Sequence, residues 1–219
     1  MLVRAVLWDM DGTLVDSREQ HWRSWQEALA TDGESVTEAQ FLATFGRRND
    51  AILSAWLGAR ATPERIGRIG DAKEASYRRI VAAEGLSPLP GVRDWVRRLG
   101  AAGWRQAVAS SAPRLNLEVV LRVIGLAPHF QALVAAEDVR RGKPDPEVFL
   151  TAAERLGVPP VRCIVVEDVE HGIEAAHRAG MRAVGVGGVG VGDLVVKSLA
   201  DLPEDAFDRL LGKEETTGR

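Results

Sequence analysis

The residues with the clearest capacity for chemistry lie near the start of the chain, in Asp9-Met-Asp11-Gly-Thr13-Leu-Val-Asp16-Ser17. An apolar run over residues 3–8 stops at Asp9. Extended chain would send Asp9 and Asp11 to opposite faces, but Gly12 and Thr13 supply a turn that can bring both to one crevice. Two carboxylates at one site are costly unless a cation or a proton neutralises them. A hard, oxygen-preferring ion such as Mg²⁺ is the natural partner. The same residues also suit an Asx-turn or a helix N-cap, so spacing alone leaves both readings open.

Such acids need elements that hold them. Residues 3–8 read as a buried strand. From about residue 17 to residue 85 the texture is helical, with Trp22, Trp25 and Leu29, then Phe41 with Phe45, then Ile52 with Trp56, and finally Ile66, Ile69, Tyr77, Ile80 and Val81 at helical spacing. Breakers at Asp32-Gly33, Gly46, Gly58 and Thr62-Pro63 divide this block into about four helices. Residues 85–91 form a punctuated connector. Beyond it strands are expected over 104–109, 132–136, 162–167, 182–186 and 194–199. Helices are expected over 94–102, 115–124, 146–156, 172–179 and 204–211, and a polar, frayed tail over 213–219. Strands alternating with helices imply a parallel sheet covered on both faces. The first strand cannot stand alone, so it joins the later sheet. The expected organisation is an α/β core of residues 1–16 and 86–219, doubly wound and Rossmann-like, with a helical insertion at 17–85. That insertion then sits over the carboxyl ends of the strands, where open α/β sheets place their ligand crevice.

Composition removes several classes of function. The chain has 219 residues, 46% hydrophobic and 27% charged, which suits a soluble globular protein with a substantial core. Its formal net charge of −3 predicts no broad attraction to nucleic acid or membrane. A single cysteine, Cys163, excludes an intrachain disulfide framework, and the four histidines show no HExxH pairing. No run approaches the roughly 20 apolar residues of a membrane span. The N-terminal apolar stretch meets Asp9 too soon for a signal peptide, so the expected location is cytoplasmic. Only four of the 28 basic residues are lysines: Lys73, Lys143, Lys197 and Lys213. A formal GxGxxG over 185–190 follows a strand but opens no adequate helix, which argues for a loop at the sheet edge over a dinucleotide site.

The DMDGTLVDS segment resembles the first motif of the haloacid dehalogenase superfamily, in the form its phosphate-transferring members carry. Later residues resemble the family's other motifs in the right order. Ser110 ends an apolar strand, Lys143 stands in Gly142-Lys143-Pro144-Asp145-Pro146, and Glu167-Asp168 closes another strand. Taken singly, Ser110 would suit a helix cap before Pro113, Lys143 a solvated loop, and Glu167-Asp168 a cap for the following helix; their joint order carries the resemblance. It implies a small α-helical cap between the first two motifs. It also implies a Mg²⁺-dependent phosphatase acting on a small phosphorylated metabolite, a sugar or polyol phosphate, as monomer or homodimer. Asp9 would be the nucleophile forming an aspartyl-phosphate, and Asp11 the general acid and then base. Mg²⁺ would lie on Asp9, the main-chain carbonyl of Asp11, and Asp168, with Glu167 a further candidate. Ser110, Ser111 and Lys143 would hold phosphoryl oxygens. One departure is Val169, where relatives often carry a hydroxyl directly after the last motif.

Within the insertion, His21 lies ten residues after Asp11, and Lys73 is the insertion's only lysine. Both resemble residues of the β-phosphoglucomutase branch, which makes a hexose-phosphate mutase the alternative activity. That branch's distal-phosphate arginine has Asn49 in its place, with Arg47 and Arg48 out of register. The bland reading of His21 is a half-buried helix residue beside Trp22 and Trp25, and those tryptophans read as insertion core before substrate platform. A dehalogenase lacks the second acid, so Asp11 argues against one. A phosphonatase using Lys73 as a Schiff base, and a non-catalytic phosphate or metal sensor, complete the set of expectations.

Overall fold

The computed structural model describes residues 3–212; the tail expected to fray lies outside them. Six strands build one sheet: β1 (Ala5–Trp8), β2 (Arg105–Ala109), β3 (Ala132–Val134), β4 (Cys163–Glu167), β5 (Arg182–Gly185) and β6 (Leu194–Val195). Their order is β3-β2-β1-β4-β5-β6, with every neighbouring pair parallel. The order runs outward from β1 in both directions, as doubly wound α/β folds do.

The strand sequences explain why the sheet is buried on both sides. In β1, Val6 and Trp8 join one apolar cluster, and Ala5 and Leu7 join the other. In β4, Ile164 and Val166 face the first cluster, and Cys163 and Val165 the second. Near-continuous apolar runs are what a two-sided burial demands. Helices α5 (Val92–Ala101) and α6 (Arg114–Val123) cover the first face, and α7 (Glu147–Leu156) and α8 (Glu170–Arg178) the second. A short α9 (Ala206–Leu210) brings Phe207 against Trp8 and Trp95.

Between β1 and α5 the chain forms α1 (Arg18–Thr31), α2 (Glu38–Thr44), α3 (Asn49–Leu57) and α4 (Pro63–Glu84). Thr37 caps α2 through a capping box, and Thr62 caps α4 ahead of Pro63. Trp25, Leu29, Phe41, Ile52, Leu53, Leu57 and Ile69 pack into a separate core of their own. The two chain crossings run side by side, since Val15 bridges Pro88 and the Leu89 amide donates to the Leu14 carbonyl at 2.9 Å.

Two expectations need correction. The strand expected over 194–199 pairs only at Leu194–Val195; Ser198 then accepts from the Ala200 amide and turns the chain into a 3₁₀ turn at Leu199–Asp201. The strand expected over 132–136 ends at Val134, where Asp138 accepts from the Ala135 amide and winds another such turn. The glycine run beyond β5 doubles back to lay β6 alongside, and a Cβ at Gly185 would stand 2.3 Å from the Val191 carbonyl oxygen. Among the described residues, no helix is long and apolar enough to cross a membrane.

Candidate active site

β1 ends at Trp8, so Asp9 is the first residue to leave the sheet. Its amide donates to the Val166 carbonyl at 3.0 Å, which fixes its backbone beside the end of β4. Gly12 is needed at the turn that follows. It has φ +93°, and a Cβ there would lie 2.0 Å from Asp168 Oδ2. The turn therefore packs directly against the acidic end of β4.

Asp9, Glu167 and Asp168 offer carboxylate oxygens within 4.8 Å of one another. Lys143, its side chain only 2% exposed, bridges two of these acids. Its Nζ donates to Asp9 Oδ1 at 2.6 Å and to Glu167 Oε1 at 2.5 Å. Burial opposes the lysine's charge, but the attraction of Asp9 and Glu167 outweighs that and holds the ammonium above its ordinary range. Glu167 Oε2 accepts from the Asp168 and Val169 amides at 2.9 and 3.1 Å. A Cβ at Gly172 would stand 2.0 Å from Glu167 Oε1, so this glycine makes room for the carboxylate.

One lysine does not neutralise three acids. Burial pushes the Asp9 carboxyl well above its usual range, against Lys143 and with the help of Glu167 and Asp168. Burial and the charge of Glu167 push Asp168 up to about 7. The set is all oxygen, clustered and short of positive charge, which fits a hard divalent cation. Asp11 behaves differently. Despite burial, His21 and Ser17 hold its carboxyl below the usual range. Its Oδ1 lies 2.5 Å from Ser17 Oγ, 3.2 Å from His21 Nε2 and 3.4 Å from Tyr77 Oη.

A single cavity gathers every residue expected from the sequence. Asp9, Asp11, Ser110, Ser111, Lys143, Glu167 and Asp168 line it from the sheet, and His21, Asn49 and Lys73 from the helices. Ser110 is not a cap, because α6 starts at Arg114 with Pro113 before it. Its Oγ accepts from the Ala112 amide at 3.1 Å, and its hydroxyl hydrogen remains to donate. His21 is buried and stacks on Tyr77, centroids 3.9 Å apart, instead of sitting half-buried among tryptophans. Trp25 serves both expected roles: it packs edge-on to Trp56 at 5.0 Å and lines the cavity. Arg48 turns away and donates to the Ala136 and Val139 carbonyls at 2.8 and 3.2 Å, while Arg47 is exposed at the cavity's edge. Val169 leaves the position after Asp168 without a hydroxyl.

Sequence reasoning passed over Glu74 and Asn116. Glu74 accepts from Lys73 Nζ at 2.8 Å, Asn49 Nδ2 at 2.7 Å and Asn116 Nδ2 at 2.5 Å. Asn116, on α6, in turn accepts from Arg78 at 3.0 Å, so this network ties the insertion to the sheet domain. An acid beside the insertion's only lysine was the available signal for Glu74; nothing local marks Asn116. Ser17 stood within the quoted motif, but its bond to Asp11 depends on how α1 begins.

Comparison with known proteins agrees with this geometry. A family model described as haloacid dehalogenase-like hydrolase matches residues 3–180. Fructose-1-phosphate phosphatase YqaB of Escherichia coli K12 is 33% identical over 188 residues, covering 83% of this chain and 95% of its own. Beta-phosphoglucomutase of Bacillus subtilis is 30% identical over 212 residues, covering 91% and 92%. The crystal structure of CbbY from Rhodobacter sphaeroides in complex with phosphate superposes with a TM-score of 0.85 at 27% identity, covering 94% of this chain and all of that one. The doubly wound sheet, the inserted helices and the ordered acids thus have one source: this chain belongs to the haloacid dehalogenase-like hydrolases.

Proposed function

We propose that the protein is a Mg²⁺-dependent phosphatase that hydrolyses a small sugar or polyol phosphate through an aspartyl-phosphate on Asp9. One observation carries this reading. Asp9, Asp11, Ser110, Lys143, Glu167 and Asp168 converge on one cavity, where Asp9, Glu167 and Asp168 lie within 4.8 Å of one another and buried Lys143 bridges Asp9 and Glu167. Clustered carboxylates beside a fixed ammonium suit a divalent cation and an anionic phosphoryl group. Family relatives that include a fructose-1-phosphate phosphatase support the substrate class.

An Asp9 carboxylate oxygen attacks phosphorus, and the bond to the leaving alcohol oxygen breaks. Asp11 gives that oxygen its proton. Its surroundings favour the carboxylate, so it is the approaching phosphate's negative charge that raises its affinity for the proton it must carry. Water then attacks the same phosphorus, Asp11 takes the water's proton, and Asp9 is released with inorganic phosphate. Ser110, the Ser111 amide and Lys143 hold the phosphoryl oxygens throughout. Mg²⁺, held by Asp9, Asp168 and the Asp11 carbonyl with Glu167 beside it, would neutralise the acids and admit an anionic guest. Glu167 keeps Lys143 in place by accepting from it.

A panel of phosphate esters with Mg²⁺, assayed for free phosphate, tests the reading. Hydrolysis of at least one sugar or polyol phosphate is expected. If nothing is hydrolysed above an Asp9→Asn control, the reading is wrong. A second reading, a hexose-phosphate mutase, draws on the His21–Asp11 contact and on Lys73. It requires β-glucose 1-phosphate to give glucose 6-phosphate with a bisphosphate primer. Stoichiometric phosphate without isomer removes it.

A further inference from the structure

The buried part of the cavity wall contributed by the insertion is polar, and its one lysine is already paired; the uncommitted cation, Arg47, stands at the exposed rim. Lys73 Nζ lies 2.8 Å from Glu74 Oε1, and the two side chains are only 4% and 7% exposed. Burial opposes ionisation of Glu74, yet Lys73, His21 and the hydrogen bonds from Lys73 and Asn49 keep its carboxyl below the usual range. The other buried basic side chains are engaged as well. Lys143 is shared by Asp9 and Glu167, and His21 Nε2 lies against Asp11. Arg48 donates to core carbonyls, and Arg47 stands exposed at the edge.

A transferred phosphate therefore meets Lys143, but a second phosphate set against the insertion wall would meet the Glu74 carboxylate, whose charge already occupies the Lys73 ammonium. Desolvated like charges repel strongly because little water screens them. Neutral hydroxyls find the opposite situation. The Asn49 amide and the Lys73 ammonium offer donors, Glu74 offers acceptor lone pairs, and the Trp25 ring offers a face for C–H groups.

Resting on the phosphatase reading above, we propose that Glu74 is a specificity-determining residue: it confines the site to monophosphates whose remaining groups are uncharged hydroxyls and rejects bisphosphates. The same carboxylate disfavours the mutase reading, which must seat a bisphosphate.

The test compares kcat/KM on matched pairs: fructose 1-phosphate against fructose 1,6-bisphosphate, and glucose 6-phosphate against glucose 1,6-bisphosphate. The wild-type protein is expected to prefer the monophosphate at least tenfold. Glu74→Gln frees the Lys73 charge and should narrow that preference at least tenfold, whereas Glu74→Asp keeps it. Lys73→Gln leaves Glu74 uncompensated and should widen it, which supplies a second arm if Glu74→Gln does not fold. Equal efficiency on both members in the wild type overturns the proposal alone. So does a preference that neither the Glu74→Gln nor the Lys73→Gln variant moves, or bisphosphate turnover that vanishes in Arg47→Ala. Failure to hydrolyse any member above the Asp9→Asn control removes the phosphatase reading and the proposal with it.

Discussion

The two sides of the cavity treat charge in opposite ways. On the sheet side, three acids share one lysine, and two of them are held unwilling to ionise. On the insertion side, Lys73, Glu74, Asn49 and Asn116 satisfy one another. The first side is short of positive charge, whereas the charges of the second are already paired with each other. A reaction centre must keep its electrostatic capacity for the transition state. A recognition wall whose charges are already paired discriminates by what it refuses. On the proposed reading, chemistry and choice of substrate fall to different stretches of one chain.

The contrast can be broken most severely at Asp9. Asp9→Asn is expected to lower kcat at least ~10³-fold, the scale for loss of a nucleophile, with the unfolding midpoint little changed; steady-state kinetics and circular dichroism check both. Lys143→Met comes next. It strands Glu167, which is fully buried, and should cost about 3–5 kcal/mol of stability in a urea titration. A variant as stable as wild type would show that the sheet side is not short of positive charge.

Metal addition sharpens the same point. Asp168 titrates near 7 when folded, above its unfolded value. Its contribution to stability is therefore fully present below the unfolded value of about 4 and is lost as pH rises through about 7. Mg²⁺ should reverse that loss, raising Tm more at pH 8 than at pH 5.5, with a stabilisation of up to about 3 kcal/mol at a hundredfold excess over Kd. Calorimetry showing no dependence on pH would contradict the account of the acid cluster.

Smaller effects belong to the insertion side. Asn116→Ala removes a buried donor from Glu74 and should cost about 1–3 kcal/mol, with KM rising more than kcat falls. Arg48→Ala removes two partly exposed bonds to the Ala136 and Val139 carbonyls. Its cost should be about 1 kcal/mol or less in the same urea titration. A larger effect of Arg48→Ala than of Asn116→Ala would place the tie between the two regions at the wrong contact.

Why one side was legible and the other was not follows from distance along the chain. Asp9, Asp11, Ser110, Lys143, Glu167 and Asp168 each stand at the end of an apolar run or within a short turn segment, and the order of these segments along the chain marks them through the family resemblance. His21 was marked by its spacing from Asp11, Lys73 by being the insertion's only lysine, and both by resemblance to one branch; their partners were not visible. The strand expected over 194–199 was too long because Ser198 bonds its own backbone two residues on, a competition that apolar patterning does not register. Helix starts at Asn49 and Pro63 fell close to the breakers at Gly46 and Thr62-Pro63, since caps and prolines act within one turn.

The order of strands and helices and the presence of a helical insertion were determined by the sequence alone, because periodicity and turn chemistry are local; the acids Asp9, Asp11, Glu167 and Asp168 stood out through the order of the motifs that hold them. Only the tertiary structure decided that Glu74, beside Lys73 on one helix, also faces Asn49 and Asn116, which come from two other helices and reach it solely by packing. It also decided that Asp9 and Asp11, two residues apart, have opposite proton affinities. Burial and neighbouring charge set that difference, and neither is a property of a residue until the chain has folded around it.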